Sequence, residues 1–347
     1  MPTMKDVARA AGVSITTVSH VINETRYVSD ELRDRVSKAM AELDYHPNTL
    51  ARSLRQGISH TIGLIVPDNS NPFFADIAKA VETRGFEAGY STILCNSDGQ
   101  LEKELTYTNV LLAKQVDGII FIAASSQSEH IALLTEQNVP VVIADREMLD
   151  SDVDVVLVDN YRGGYLATEY LISLGHHRIG CITGPSDTTP SADRVHGYVD
   201  AFTAAGLPVD DNLIVKGDFR YRSGAEGTRQ LLDREEPPTA IFVCNDVMSM
   251  AAMAVVRERG LNIPDDISII GFDDIPLASF TSPPLTTIAQ PIQEIGKIAT
   301  DLLIERMSRS SSRPSQRIVL DVQLVVRNSC GPRRTQGSVK VGLEWRR

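Results

Sequence analysis

The chain contains two series of short apolar runs, and this double series constrains the fold more than any other feature. The first series consists of TIGLIV, STILC, GIIFI and PVVIA, and the second of RIGCIT, LIVKG, AIFVC and ISIIGF. Helix-length amphipathic stretches separate the runs, which is typical of parallel α/β sheets. The pattern predicts two α/β halves, with a ligand crevice where the carboxyl ends of their strands face each other.

The composition is that of a globular protein, with 42% hydrophobic and 23% charged residues. With 347 residues the chain exceeds one domain of roughly 100–200 residues, so we expect two or three domains. No apolar run approaches the roughly 18 residues of a membrane span, and the start MPTMKDVARAAG lacks an apolar signal core. Three of the four widely spaced cysteines (Cys95, Cys181 and Cys244) lie in strand-like runs. We therefore expect buried, reduced thiols and a cytoplasmic protein.

The net charge of −11 belongs to the larger part of the chain. Residues 1–60 hold eight basic and seven acidic side chains, whereas residues 61–347 hold 26 basic and 38 acidic ones. The front segment therefore carries a net charge of +1 and the remainder −12. A front segment of this charge can contact phosphate if its cations share one face.

Residues 1–46 predict three short helices. Thr3 and Asp6 form a capping pair for a helix that runs through Ala11, and Gly12 supplies the next turn through a positive φ. Ser29 caps the third helix. The buried stripe of that helix consists of Leu32, Val36, Met40 and Leu43.

The second helix follows Ser14 and has two unlike faces. Its inner side carries apolar residues, namely Val18, Val21 and Ile22. Its outer side is polar, with Ile15 on the border: Thr16, Ser19 and His20. The first two helices thus form a helix-turn-helix whose outer face suits a DNA groove. Because this pattern is short, any three-helix bundle remains an alternative on periodicity alone.

The segment HPNTLARSLRQG, residues 46–57, predicts another short helix. Pro47 and Asn48 favour its start and Gly57 its end. Between them lie two leucines at i,i+4 spacing and two arginines: Leu50, Leu54, Arg52 and Arg55. Such a short helix needs a partner to persist in water. It is either an ordinary linker helix or an element that lies on DNA and inserts an apolar wedge into the minor groove.

Three separated motifs, MKDVARAAGVSITTVSHVIN, HPNTLARSLRQG and TIGLIVPDNSNPFF, closely resemble the lactose repressor (LacI) family of bacterial transcription regulators. The resemblance covers residues 1 to about 330 and is strongest to the ribose and purine repressors of that family. It implies an α/β protein with an N-terminal helix-turn-helix headpiece, a hinge helix and a core of two subdomains like a periplasmic sugar-binding protein. Such a protein acts at least as a homodimer on a palindromic operator.

The resemblance also implies domain boundaries and DNA contacts. The headpiece is expected over residues 1–46, the hinge helix and linker over 47–60 and the core over 61–330. Residues 331–347 extend past the resemblance, and their five basic side chains predict a mobile basic tail. One core subdomain is expected at about 61–160 plus 291–320, and the other at 161–290 plus 321–330, with chain crossings near Asn160, Gln290 and Asp321. The DNA-binding residues implied are Ile15, Thr16, Thr17, Ser19, His20, Asn23, Leu54 and Arg55.

Polar and aromatic side chains follow the predicted strands at the expected crevice. The candidates are Asn71, Phe73, Phe74, Asp145 and Arg146 in the first half, and Arg194, Phe219, Asn245, Asp273 and Gln290 in the second. Carboxylates accept from vicinal hydroxyls, arginine and asparagine donate, and flat rings cover C–H faces, so this chemistry suits a sugar. From the residues alone, an ion pair at the cleft edge (Asp145 and Arg146) and helix-start core (Phe73 and Phe74) are equally open.

Motifs such as NPFF, ADR, GFD and TIAQ resemble the ribose-binding pattern of periplasmic sugar-binding proteins. FIAASS departs from that pattern, because Ala123 or Ala124 stands where it has an asparagine, so water or Ser125 would make that contact. Two carboxylates balanced by two arginines favour a neutral ligand over a sugar phosphate. We predict D-ribose or a similar pentose as the effector. A purine nucleobase remains the alternative, because the phenylalanines can also stack on a flat ring.

The motifs of the main competing class, enzymes, are missing. GxxxxGK[ST], GxGxxG, HExxH and GxSxG do not occur, and the seven histidines are scattered. We therefore expect no catalytic residues, no metal and no cofactor. A secreted binding protein is disfavoured by the helix-turn-helix and the missing signal core. The predicted function is a DNA-binding transcriptional repressor, and either induction or corepression by the effector is compatible with the sequence.

Overall fold

The computed structural model describes residues 2–23, 26–46, 58–122, 129–147, 152–185, 188–308 and 313–333. It divides into two compact units, Met1–Ser59 and His60–Arg347. Residues 47–57 with Leu54 and Arg55, residues 123–125, and the tail from residue 334 lie outside the described residues. Among those described, no helix is both long and apolar enough to cross a bilayer.

The first unit contains three helices: α1 (Met4–Ala11), α2 (Ile15–Asn23) and α3 (Asp30–Glu42). The carboxylate of Asp6 accepts hydrogen bonds from the backbone N–H (3.0 Å) and the hydroxyl (2.7 Å) of Thr3, which starts α1 as predicted. Gly12 ends α1 with φ 62°. The guanidinium of Arg35 then donates to the carbonyl of Ala11 at 2.7 Å, so α3 closes the turn between α1 and α2.

The caps of α2 and α3 differ from each other. Ser14 Oγ accepts from the backbone N–H of Thr17 at 3.0 Å, as expected of a cap. Ser29 occupies the predicted capping position of α3, but its side chain makes no capping hydrogen bond. Asp30 and Glu31 instead place negative charge at the positive end of α3. The small core of this unit consists of Val7, Ala8, Ala11, Val18, Val21, Val28, Val36 and Ala39.

The second unit contains two six-stranded sheets. The strand order of the first sheet is β11-β5-β4-β3-β1-β2, and all its pairs are parallel. Its strands are β1 (Thr61–Val66), β2 (Ser91–Asn96), β3 (Gly118–Phe121), β4 (Val141–Ala144), β5 (Asp154–Val158) and β11 (Arg317–Leu320). Its helices are α4 (Pro72–Glu87), α5 (Leu101–Ala113), α6 (Glu129–Glu136) and α11 (Ile292–Met307). We call this part the N-subdomain.

The strand order of the second sheet is β12-β10-β9-β8-β6-β7. Its strands are β6 (Ile179–Ile182), β7 (Ile214–Val215), β8 (Ala240–Val243), β9 (Ser268–Asp273), β10 (Thr286–Ala289) and β12 (Gln323–Val325). Its helices are α7 (Asn160–Ser173), α8 (Thr189–Ala204), α9 (Tyr221–Leu232) and α10 (Asp246–Glu258), with 3-10 turns at Asp211–Leu213 and Pro276–Phe280. We call this part the C-subdomain. Edge strand β12 runs antiparallel to β10, which the prediction of parallel sheets did not include.

Strand β10 corresponds to the stretch LTTIA that precedes Gln290, and three further strands among the described residues, β5, β11 and β12, were not predicted. Strand β5 begins with the charged Asp154, and the edge strands β11 and β12 contain only exposed and half-buried residues, so none of these three forms a continuous apolar run. The predicted run LIVKG forms only the two-residue strand β7. Every predicted run nevertheless contributes to a strand. Six of the eight form central strands, which are buried on both faces of a parallel sheet, and STILC and LIVKG form the edge strands β2 and β7.

The chain passes between the subdomains at three points. These lie between β5 and α7, between β10 and α11, and between β11 and β12, since each of these pairs joins one subdomain to the other. Helix α11 packs on α4 and on strands β3 to β5 of the N-subdomain, and α7 packs on α8 and the second sheet. The crossings border one cleft, toward which the carboxyl ends of the strands point.

Candidate functional site

A cavity in this cleft gathers the side chains that follow the strands. Its lining comprises Asn71, Phe73, Phe74, Asp145, Arg146, Pro190, Arg194, Phe219, Asn245 and Asp273. These include all the predicted ligand residues except Gln290, together with Pro190, which was not predicted. Their shared position follows from topology, because the carboxyl ends of neighbouring parallel strands lie at one edge of a sheet.

The start of α4 supplies the aromatic part of the N-subdomain wall. Asn71 caps this helix, and its Oδ1 accepts from the backbone N–H of Phe73 at 3.1 Å. The rings of Phe73 and Phe74 meet edge to face with centroids 5.1 Å apart. Both rings are almost fully buried, so they combine core packing with lining of the cavity.

Asp145 and Arg146 follow β4 and form a buried charged pair. Arg146 Nε lies 3.7 Å from Asp145 Oδ2, and the Arg146 guanidinium lies 5.8 Å from the centroid of the Phe74 ring. Burial raises the pKa of Asp145, and the positive charges of Arg146 and Arg194 oppose this rise. Asp145 Oδ1 is buried and has no hydrogen-bond partner among the described residues. A buried carboxylate oxygen of this kind is an open acceptor for a ligand donor.

Arg194 projects from α8 and is held on several sides. Its Nε donates to Asn160 Oδ1 at 2.8 Å and its Nη1 to the carbonyl of Cys244 at 2.5 Å. Its guanidinium lies 3.6 Å from the centroid of the Phe272 ring and 5.6 Å from that of Phe219. These contacts position the hydrogen-bond donors of the Arg194 guanidinium at the wall of the cleft.

The backbone of Arg194 is positioned by a close approach of α7 to α8. A Cβ atom at Gly164 of α7 would lie 2.1 Å from the carbonyl oxygen of Arg194, so only glycine fits there. Asn160 begins α7 at the crossing from the N-subdomain. Arg194 is therefore linked to one of the crossings between the subdomains through both its side chain and its backbone.

Asp273 ends β9 and faces Arg194. Its Oδ1 lies 3.7 Å from Arg194 Nη1 and accepts from Gln290 Nε2 at 2.7 Å. Burial raises the pKa of Asp273 to about 7, although Arg194 and the Gln290 hydrogen bond lower it. Gln290 was predicted to line the cavity, but it is absent from the lining and contacts Asp273 from behind the wall. Its Oε1 is buried without a hydrogen-bond partner among the described residues.

Asn245 and Phe219 complete the C-subdomain wall. Asn245 caps α10 through a hydrogen bond from the backbone N–H of Met248 to its Oδ1, at 2.8 Å. Its Nδ2 donates to the carbonyl of Phe219 at 3.0 Å. The amide of Asn245 thus holds the aromatic residue in the wall, and one of its N–H groups remains to contact a ligand.

Three cavity residues adopt a left-handed backbone conformation. The φ angles are 66° at Asp145, 66° at Phe219 and 114° at Asp273. Such angles are costly for residues with a side chain and concentrate at functional sites. The free space among the side chains is about 20 Å³, enough for about one water molecule. A neighbouring space of about 290 Å³ shares Asn71, Phe74, Arg146 and Phe219 with this cavity, so the cleft continues beyond it.

The outer face of α2 carries the predicted DNA-reading residues. Ile15 is 43% exposed, Thr16 is exposed, and Ser19 and His20 are half-buried. Asn23 Nδ2 donates to the backbone carbonyl of Ser19 at 2.7 Å, so part of its donor capacity is used within the helix. Thr17 is also implied for DNA binding, and its hydroxyl lies 2.8 Å from the hydroxyl of the capping residue Ser14. Ile15 and Thr16 are the exposed residues of this helix and are accessible to a partner.

Sequence reasoning missed two residues of the cleft. Pro190 lines the cavity at the start of α8. It could have been predicted, because it stands at a helix start four residues before the candidate Arg194. Asn160 was expected only as a crossing point, whereas its Oδ1 holds Arg194. No local pattern connects Asn160 to Arg194, because 34 positions separate them along the chain.

Two family models match the chain. The model described as "Bacterial regulatory proteins, lacI family" matches residues 3–48. The model described as "Periplasmic binding proteins and sugar binding domain of LacI family" matches residues 59–324.

Relatives that match nearly the whole chain are regulators. The regulator DegA of Bacillus subtilis is 43% identical and covers 96% of this chain and 99% of its own length. The ribose operon repressor of Escherichia coli K12 is 42% identical, over 95% of this chain and 100% of its own. The repressor PurR of Aliivibrio salmonicida is 41% identical, over 88% and 92%.

Solved structures agree with this assignment. A lac repressor dimer bound to operator and an anti-inducer is 31% identical with a TM-score of 0.85, over 95% of this chain and 99% of that one. A LacI family regulator of Enterococcus faecium with bound ribose is 31% identical with a TM-score of 0.73, over 79% and 100%. The chain therefore belongs to the LacI family of bacterial regulatory proteins, and it is a ligand-responsive transcriptional repressor rather than an enzyme.

Proposed function

We propose that the effector of this repressor is a small neutral sugar, D-ribose, bound in the cleft between the subdomains. The observation that carries the proposal is the charge balance of the buried wall. Asp145 and Asp273 are matched by Arg146 and Arg194, all less than a tenth exposed. A neutral ligand leaves these pairs intact, whereas a sugar phosphate would add an unpaired buried charge.

The hydrogen-bonding groups of the wall support a polyhydroxyl ligand. Asp145 Oδ1 is a buried acceptor that lacks a partner among the described residues, and burying such an atom unpaired is unfavourable. Sugar hydroxyls donate to carboxylates and accept from guanidinium groups. The rings of Phe74 and Phe219 supply flat apolar surfaces that suit the C–H faces of a furanose or pyranose ring. Similarity to the E. coli ribose operon repressor and to the ribose-bound regulator of E. faecium points the same way.

A purine nucleobase is the second candidate. The same rings can stack on a flat heterocycle, and the guanidinium of Arg194, already stacked 3.6 Å from the centroid of Phe272, can donate to a purine carbonyl. The 41% identity to the PurR of A. salmonicida also supports this candidate. The two ligands differ in their donors, because ribose offers several hydroxyls and hypoxanthine only ring N–H groups.

Isothermal calorimetry of the full chain with D-ribose, D-xylose and hypoxanthine tests the proposal. We expect saturable heat with D-ribose and a higher thermal midpoint of the complex, because a ligand that binds only the native state stabilises it. Tight binding of hypoxanthine with no heat from either pentose would reassign the effector to the nucleobase class. D-xylose serves as the matched control, since it shares the formula of ribose and differs only in the arrangement of its hydroxyls.

We propose further that the repressor binds a palindromic operator as a homodimer, with Ile15, Thr16 and His20 at base edges. The support is the exposure of Ile15 and Thr16 on the face of α2 opposite Val18 and Val21. Two symmetric headpieces match two half-sites of a palindrome. The sequence alone assigns Leu54 to the minor groove at the centre of the palindrome, with Arg52 and Arg55 near the DNA backbone or the edge of the groove.

The double variant Thr16→Ala/His20→Ala tests this assignment. Each base-edge contact contributes about 1–3 kcal/mol, so we expect specific operator affinity to fall by at least about tenfold. Nonspecific binding and the helical circular-dichroism signal should remain, because neither side chain lies in the core of the headpiece. Electrophoretic mobility shift at one fixed salt concentration measures both affinities. Ser37→Ala, exposed on α3, is the control; an undiminished operator affinity in the double variant would show that another surface reads the DNA.

A further inference from the structure

The C-subdomain buries a carboxyl group behind the cavity wall that has no place among the ligand contacts. Asp246 follows Asn245 and is the first residue of α10. Its side chain is fully buried. It is absent from the lining of the cavity. Placing a carboxyl group in the interior is unfavourable unless its oxygens are hydrogen-bonded, which raises the question of what this group does.

Both oxygens of Asp246 are used, and their partners lie on two further strand ends. Asp246 Oδ2 accepts from the backbone N–H of Ile275 at 3.0 Å, two residues after Asp273. Asp246 Oδ1 is hydrogen-bonded to the hydroxyl of Thr287 at 2.6 Å, three residues before Gln290. The carboxyl group therefore bridges the ends of β8, β9 and β10.

The sheet is shaped to receive this group. Gly271 of β9 pairs with Thr287 of β10. A Cβ atom at Gly271 would lie 2.2 Å from Asp246 Oδ1, so any other residue there would displace the carboxyl group. Gly271, Thr287 and Asp246 form one arrangement, and we call these three residues with Ile275 the strand-end clamp.

The clamp lies next to the most strained cavity residue. Asp273 has a φ of 114°, and a residue with a side chain keeps such a conformation only when its surroundings hold it. The backbone on its C-terminal side is tied to Asp246 through Ile275. Its side chain is tied to Gln290, which stands at the end of the strand that Thr287 anchors. Removing the clamp frees both of these supports at once.

We propose that Asp246 is a positioning residue for effector binding, which sets the directions of Asn245, Asp273 and Gln290 by clamping the three strand ends that carry them. The proposal rests on the proposed function of the cleft. Its effect on binding is indirect, through Asp273 above all, so Asp246 and Asp273 should not act independently. In a double-mutant cycle, the loss of affinity caused by a broken clamp should therefore shrink in an Asp273→Ala background.

Thr287→Val and Thr287→Ser in the full chain test the proposal with less risk to folding than Asp246→Ala. Valine keeps the branched shape and removes the hydroxyl, so we expect the affinity for D-ribose to fall about tenfold, the size of one lost buried hydrogen bond. Serine keeps the hydroxyl and should restore most of the affinity. Asp246→Asn should likewise retain binding, because its amide can accept from Ile275 and donate to Thr287.

Thr286→Val is the matched control. Thr286 is the neighbouring residue of β10 and is equally buried, but its hydroxyl accepts from the backbone N–H of Arg327 at 2.9 Å. We expect this variant to lose thermal stability like Thr287→Val while its affinity for D-ribose is unchanged. Equal affinities in Thr287→Val and the wild type, or equal losses in both valine variants, would overturn the positioning role.

A readout without ligand separates this inference from the proposed function. The amide of Ile275 donates to Asp246, so its hydrogen exchange should accelerate in Thr287→Val and in Asp246→Ala but not in Thr286→Val. If neither D-ribose nor hypoxanthine binds the wild type, the proposed function fails and the exchange rates decide the inference. Unchanged protection of Ile275 in the clamp variants would refute the clamp itself.

Discussion

Asp273→Asn is expected to weaken the binding of D-ribose by roughly ten- to a hundredfold, because a hydrogen bond to a charged group contributes about 1.5–3 kcal/mol. Asparagine keeps an oxygen that can accept from Gln290 Nε2 and tolerates the left-handed backbone at this position. Folding should therefore be preserved. Calorimetry measures the affinity, and near-unchanged binding of D-ribose would remove Asp273 from the contacts of the effector.

The same variant should be more stable than the wild type above pH 7. The pKa of Asp273 is raised from 3.8 to about 7 by burial, so the folded chain takes up a proton that the unfolded chain releases. The stability contributed by this protonation is present below about pH 4 and is lost as the pH rises through 7. The rise in the pKa of Asp273 limits the increase in the free energy of unfolding of Asp273→Asn to about 4 kcal/mol. The loss of the attraction to Arg194 offsets part of this increase. Urea unfolding at pH 5 and pH 8 measures the difference.

Binding should show the opposite pH trend. If the ionised form of Asp273 accepts the sugar hydroxyl, the affinity of the wild type rises with pH up to about 7 and is constant above it, since below that value a proton must first be released. Asp273→Asn should abolish this trend. A pH-independent affinity in the wild type would mean that the protonated carboxyl binds equally well.

Asp154→Ala is expected to destabilise the core by about 3–5 kcal/mol, the usual cost of removing one partner of a buried ion pair. Asp154 is fully buried and accepts from Arg306 Nε at 2.7 Å, from Arg313 Nη1 at 2.7 Å and from the backbone N–H of Gln316 at 2.7 Å. Its loss removes the carboxylate partner of Arg306 and leaves Arg313 with Glu305 alone, whose Oε1 lies 3.1 Å from Arg313 Nε. It also frees the segment that leads from α11 into β11. Urea unfolding at pH 7 gives the change in free energy.

The ion pairs of Asp154 also predict acid sensitivity. Two guanidinium groups hold the pKa of Asp154 at about 2 against the opposing effect of burial. The stability that this carboxylate contributes is therefore present above about pH 4 and is lost as the pH falls through 2. Glu226→Ala, which breaks an exposed pair with Arg222 on α9, is the control and should leave the unfolding midpoint unchanged. Equal midpoints for Asp154→Ala and Glu226→Ala would contradict the structural role of Asp154.

The fold and most of the candidate site were predictable because their signals are local. An apolar run such as GIIFI is buried on both faces of a parallel sheet, and Thr3 and Asp6 cap α1 with a spacing that a single turn fixes. The residues that line the cleft could be predicted from the direction of the parallel strands. Side chains after successive parallel strands meet at one edge, so Asn245 and Asp273 could be placed together without any knowledge of their contacts.

The contacts that orient these side chains were decided only by the tertiary structure. Arg194 is held by Asn160 and by the carbonyl of Cys244, and Asp154 is held by arginines about 150 positions away. The left-handed backbone of Asp273 is likewise invisible in the sequence GFDD, because aspartate prefers other conformations when it is free. Local patterns encode which face of an element is buried. Strain and buried charge persist only where distant segments supply hydrogen bonds, and that pairing exists only once the chain has folded.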